Sequence, residues 1–129
     1  MDVNLPEILA EVEAAFARYE RALVTNDLAV LDELFWADPR TVRYGVGELL
    51  YGIEAIRAFR DARLTQGLAR NLGRTSITTF GRDFATASTE FTREGMVGKI
   101  GRQQQSWVRM APGWRVVAAH VSVIPIPQL

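Results

Sequence analysis

RTVRYGVGELLYGIEAIRAFRDARL, residues 40–64, is the stretch whose reading decides the fold. It opens as a short alternating strand, turns at Gly45 and Gly47, returns through Glu48, Leu49, Leu50 and Tyr51, and enters a helix after Gly52. Ile53, Ile56 and Phe59, with Leu64 beyond, recur at roughly helical spacing, while Arg57, Arg60 and Arg63 form another stripe of the same helix. A hairpin therefore hands directly to an amphipathic helix. Side chains alternate across a strand, so Arg43 points away from the face shared by Val42 and Tyr44. The segment alone leaves open which face meets the core. The arginine stripe reads as a solvated helix face, with Arg63 within reach of a pocket rim.

Before this stretch, Asn4 is placed to cap a helix from about Pro6 to Val24, with proline near its first turn and Glu7 complementing the dipole. Ile8, Val12, Ala15, Phe16, Tyr19 and Leu23 repeat at three and four residues, so Tyr19 belongs to the inward stripe. Asn26 and Asp27 separate this helix from a second, about Leu28 to Phe35, which ends before Asp38-Pro39.

After it the chain changes character. Leu68 to Phe80, Asp83 to Arg93, Lys99 to Met110 and Trp114 to Ile124 read as four long strands, separated by short turns. Helices first and a strand meander last indicate an α+β domain, with the helices covering one face of a curved, mostly antiparallel sheet. A single domain over residues 1–129 is expected from the length, and 48% apolar residues suffice for one core.

Composition excludes several functions. The formal net charge is zero, which gives nucleic acid no bulk electrostatic handle. With no cysteine and one histidine, disulfides, thiolate nucleophiles and histidine-rich zinc sites drop out. No apolar run reaches the roughly 20 residues that span a bilayer, and the acidic start MDVNLPEILAEVE lacks a signal pattern, so a cytoplasmic protein is expected.

The order of elements resembles the cone-shaped nuclear-transport-factor-2-like fold, which includes ketosteroid isomerases and SnoaL-like polyketide cyclases. VRYGVGELLYGIEAIRAFRDAR (42–63), GRQQQSWVRM (101–110), GWRVVAAHVS (113–122) and LDELFW (31–36) are similar to the AtzH/HpxZ-like family, associated with oxalurate and cyanuric acid breakdown. That resemblance implies a homodimer with an open pocket between helices and concave sheet, and decarboxylating amidohydrolase activity on a small carboxylated urea or ureido acid. Its pocket residues, a tyrosine on the first helix and an arginine on the first strand, map onto Tyr19 and Arg43. Separately, the expected mechanism requires no cofactor, and an amidase is expected as a functional partner.

The residues can also be weighed one by one. In a cone, the Tyr19 phenol stands where ketosteroid isomerases place an oxyanion-hole tyrosine; the plain alternative is a core tyrosine bonded to backbone. Arg43 inside an apolar hollow needs a carboxylate ligand or an ion pair, with Glu48 or Glu90 as the structural partners. Arg70 is a candidate for a second substrate carboxylate, or else a solvated edge charge. His120, read on one strand face with Trp114, Val116, Ala118 and Ser122, suits proton transfer or substrate binding, or else core hydrogen bonding. Asp38 is first a turn residue. Two other functions stay open: an isomerase or cyclase with an inward carboxylate such as Asp38 or Glu90, and a non-catalytic partner of an amidase with a packed cone.

Overall fold

The computed structural model describes residues 1–128. Helix α1 runs Pro6–Val24 and α2 Leu28–Leu34, followed by strands β1 (Val42–Tyr44) and β2 (Leu49–Tyr51) and helix α3 (Ile53–Ala62). Strands β3 (Asn71–Phe80), β4 (Phe84–Thr92), β5 (Lys99–Met110) and β6 (Gly113–Pro125) complete the chain. One six-stranded sheet has the order β2-β1-β6-β5-β4-β3. Every pairing in it is antiparallel except β1 with β6, which join parallel through Arg43 and Ala119. Among the described residues no helix is long and apolar enough to cross a membrane.

Helix α1 forms where its apolar spacing demands, and Ile8, Val12, Phe16, Tyr19, Ala22 and Leu23 are buried along one face. Its start differs from the expected cap. Leu5 holds the N-cap position, and the Asn4 side chain instead accepts from the Thr79 N–H at 2.8 Å, tying the N-terminus to β3. Asp27 caps α2 by accepting from the Val30 N–H at 3.2 Å. Helix α3 stops at Ala62, so Leu64 lies beyond it and is 81% exposed rather than continuing the apolar face.

The helices cover the inner face of the sheet. Trp107, Val116, Ala85, Ala87, Phe35 and Leu31 meet α1 in a continuous core. Burying each large apolar side chain contributes about 1.5–3 kcal/mol before entropy is subtracted. One irregularity redirects side chains toward the site. Along β5 and β6, Ser106 pairs with Ala118 but Trp107 with Val116, leaving Val117 as an extra residue. Trp114 and Val116 face the core before this bulge, and Ala119 does so after it, while His120 is exposed. His120 therefore does not share a face with Trp114 and Val116.

Candidate functional site

A cavity of about 220 Å³ lies between α1, the β1–β2 hairpin, α3 and the inner face of β5 and β6. Its walls include Tyr19, Arg43, Glu48, Phe59, Arg63, Arg70, Arg93 and Gln103. Alternation in β1 sends Arg43 to this side, while Tyr44 goes to the other, where its hydroxyl lies 3.1 Å from that of Tyr51 and its ring stands edge-on to His120. The site thus brings together Tyr19, Arg43, Arg63 and Arg70, and leaves His120 out.

His120 sits in an open trough of about 660 Å³ on the opposite sheet face, beside Arg74, Glu90, Arg102 and Gln104. Polar groups there answer one another: Arg102 donates to Ser122 Oγ at 3.0 Å and Gln104 to Ser88 Oγ at 3.1 Å. The smaller cavity is the chemically incomplete one.

Two of its arginines are already paired. Arg43 Nη1 donates to Glu48 Oε1 at 2.8 Å, with both side chains largely buried, and its guanidinium lies 5.2 Å from the Phe59 ring centroid. Only one edge of Arg43 is used, so it keeps donors for a ligand. Arg70 is more committed. Its side chain is 1% exposed, forms a two-point ion pair with Glu20, donates to Gln103 Oε1 at 2.9 Å and stacks 4.5 Å over Phe91. It is neither a solvated edge charge nor free for a second carboxylate; it braces α1 against β5.

The other two have no carboxylate partner among the described residues. Arg63 Nε and Nη2 and Arg93 Nε are buried with no hydrogen-bond partner among the described residues, as is Gln103 Nε2. Burial holds the Arg63 guanidinium below its ordinary pKa, repulsion from Arg43 adds to this, and Tyr19 and Glu48 oppose it. Arg93 is lowered by burial first and then by Arg70 and Arg63, against Glu20 and Tyr19. Tyr19 itself is 4% exposed, packs 6.1 Å from the Phe35 ring, and its hydroxyl enters no hydrogen bond found among the described residues.

The arginine stripe of α3 divides rather than facing solvent. Arg57 is half-exposed, but Arg60 is 3% exposed, lies 4.2 Å over Phe35 and donates to Asp32 at 3.2 Å, and Arg63 turns into the cavity. Asp38 stays outside, bonded to the backbone and guanidinium of Arg40 at 2.8 Å. The sequence reading passed over Arg93, yet a signal for it existed. Ala85, Ala87, Thr89 and Phe91 alternate inward along β4, and Arg93 continues that parity one step past the strand end.

Helices packed on one face of a curved, mostly antiparallel sheet around such a cavity define a nuclear-transport-factor-2-like, cystatin-like fold. A protein of that class from Novosphingobium aromaticivorans superposes with a TM-score of 0.74 at 24% identity, over 96% of this chain and 86% of that one. The chain belongs to the AtzH-like family, whose model matches residues 1–126. A protein with unknown function from Pectobacterium atrosepticum is 66% identical, with a TM-score of 0.94 and 95% of each chain covered. A cystatin-like fold protein from Burkholderia xenovorans is 53% identical, with a TM-score of 0.93 over 98% of this chain and 99% of that one. No curated protein matches.

Proposed function

We propose that the protein is a cofactor-free hydrolase of a small carboxylated urea or ureido acid, acting in nitrogen-compound catabolism. The observation that carries this reading is the cavity's imbalance: four guanidinium groups, those of Arg43, Arg63, Arg70 and Arg93, line it, and among the described residues only Glu48 and Glu20 pair with any of them. A small anion balances that charge. Glu48 adds a reason for a ureido group, because its carboxylate accepts hydrogen bonds and suits the N–H donors that such a substrate carries beside its own carboxylate.

In the proposed reaction the substrate carbonyl oxygen lies against the Tyr19 hydroxyl. Water oxygen bonds to the carbonyl carbon, the C=O electron pair moves onto oxygen, and Tyr19 donates to the resulting oxyanion. The pair returns, the C–N bond breaks, and the leaving nitrogen takes a proton that originated on the water. A carbamate released this way loses CO2 without further help. Arg43 orients the substrate through its unused edge, and the Arg43–Glu48 pair keeps that edge in place.

Two observations weigh against the other readings. An isomerase of a steroid-sized ligand fits poorly, since the cavity is smaller than the roughly 300–1,000 Å³ of pockets for drug-sized ligands, and neither Asp38 nor Glu90 lines it. A purely structural partner of an amidase is at odds with an unfilled hollow walled by unpaired donors. A homodimer, and a functional link to an amidase, remain part of the proposal. Exposed Leu49 and Tyr51, on the sheet face away from the cavity, support the dimer, and light scattering checks it.

The experiment is a substrate comparison. The parent and Arg43→Ala are assayed for CO2 and amine release from ureido acids and from the corresponding uncharged amides. Selective turnover of the acids, lost with Arg43, supports the reading; a parent inactive on every carboxylated urea defeats it.

A further inference from the structure

Buried donors without acceptors are costly, because each has lost its water with nothing in its place. They cluster here. Arg63 at the end of α3, Arg93 just past β4 and Gln103 on β5 reach the same cavity from three directions, and each has at least one buried N–H group with no partner among the described residues. All the unsatisfied atoms of these residues are donors. The Gln103 orientation is fixed chemically: Arg70 only donates, so the amide oxygen must face it and the NH2 must face away. Arg93 is also held in place, stacked 5.1 Å over Phe91 on the same ring that Arg70 uses.

We infer that Arg93 is a substrate-binding residue and that, with Arg63 and the Gln103 amide, it forms the seat for the substrate's carboxylate. Arg70 serves as the brace that aims Gln103 and Phe91, and Arg43 acts on the remainder of the molecule. The seat rests on the small-anion reading of the cavity but not on hydrolysis. Two guanidinium groups and an amide supply enough N–H donors to occupy both oxygens of one carboxylate, and the two positive charges lacking a carboxylate partner among the described residues exceed what one carboxylate neutralises. A ligand with a second anionic or strongly accepting group is therefore favoured over a simple monocarboxylate.

Malonate and malonamide separate this from the hydrolase reading, since malonate has no amide bond to cleave and malonamide has no charge. Calorimetry is run on the parent, Arg93→Met, Arg93→Lys and Arg63→Met, with thermal melting of each. The expected result is malonate binding by the parent that weakens at least tenfold in Arg93→Met and Arg63→Met, is partly kept in Arg93→Lys, and is absent for malonamide. Both methionine variants melt higher than the parent, because an unpaired buried charge has been removed. Equal malonate affinity in parent and methionine variants overturns the inference, as do equal binding of malonamide or a lower melting temperature in both methionine variants. A parent that hydrolyses no ureido acid yet binds malonate through Arg93 loses the reaction and keeps the seat.

Discussion

Arg43 and Glu48 close the β1–β2 turn upon itself: the guanidinium reaches Glu48 Oε1 at 2.8 Å, and the other carboxylate oxygen accepts from the Gly47 N–H at 3.1 Å. The carboxylate lies directly over Gly45, where a Cβ would fall 1.6 Å from Oε1. Glycine is needed at 45 to leave room for the ion pair. Gly45→Ala is expected to swing the Glu48 carboxylate aside, and because that group ends a flexible side chain the cost is the lost pairing with Arg43, about 1 kcal/mol, rather than overpacking. Arg43 then loses its fixed orientation, and KM for an acid substrate rises. Chemical denaturation together with steady-state kinetics reads both effects.

Gly101 plays a comparable part across the sheet. A Cβ there would lie 2.2 Å from the Phe91 ring, which carries the guanidinium groups of Arg70 and Arg93 on it. Gly101→Ala is expected to push the ring aside, cost roughly 1–3 kcal/mol of stability and weaken anion binding as well. Retained malonate affinity in a destabilised Gly101→Ala protein separates packing from the site and counts against the stacked arrangement.

His120 provides the contrasting case. It is exposed on the far face, beside Tyr44, and lines none of the cavity. His120→Ala is expected to leave kcat and KM within twofold of the parent, and a pH–rate profile of the variant is expected to overlay that of the parent. A loss of a hundredfold would place the chemistry on the other face.

These cases mark what the chain reveals on paper. The periodicities that place α1 at Pro6–Val24 and β5 at Lys99–Met110 are long, and alternation around Arg43 puts it on the face opposite Val42 and Tyr44 without saying which of the two faces lines the cavity. His120 escapes that logic because one extra residue at Val117 reverses parity within β6, and nothing in VVAAHV marks a bulge. Arg60 escapes it because a cation one step from an apolar stripe looks solvated, whereas Phe35 and Asp32 from α2 and its end cover it. Long-range partners such as Glu20 for Arg70, fifty positions apart, have no local signature.

Acid sensitivity follows from two surface pairs. Hydrogen bonding from Arg40 holds the Asp38 carboxyl below its ordinary 3.8, and Arg18 holds Glu33 below 4.5. Folded values below unfolded ones mean that the unfolded chain binds more protons in this range, so the stabilisation is present above about pH 5 and disappears as pH falls through the folded values. Arg18 and Glu33 are both half-exposed and Arg40 reaches solvent although Asp38 is mostly covered, so the effect is modest. Melting temperatures measured from pH 6 to pH 3 are expected to decline, and Arg18→Ala and Arg40→Ala to flatten the decline; an unchanged slope in both variants removes these pairs as its source.

The central claim is that a phenol inside an arginine-lined hollow stabilises negative charge developing on a small ureido acid. The most direct measurement is the kcat for CO2 and amine release from a carboxylated urea by the parent and by Tyr19→Phe, which keeps the ring packing against Phe35 and removes only the hydroxyl. A drop in kcat of about 10²–10³ with little change in KM is expected from loss of one oxyanion donor. A folded Tyr19→Phe protein that turns over as fast as the parent contradicts the account.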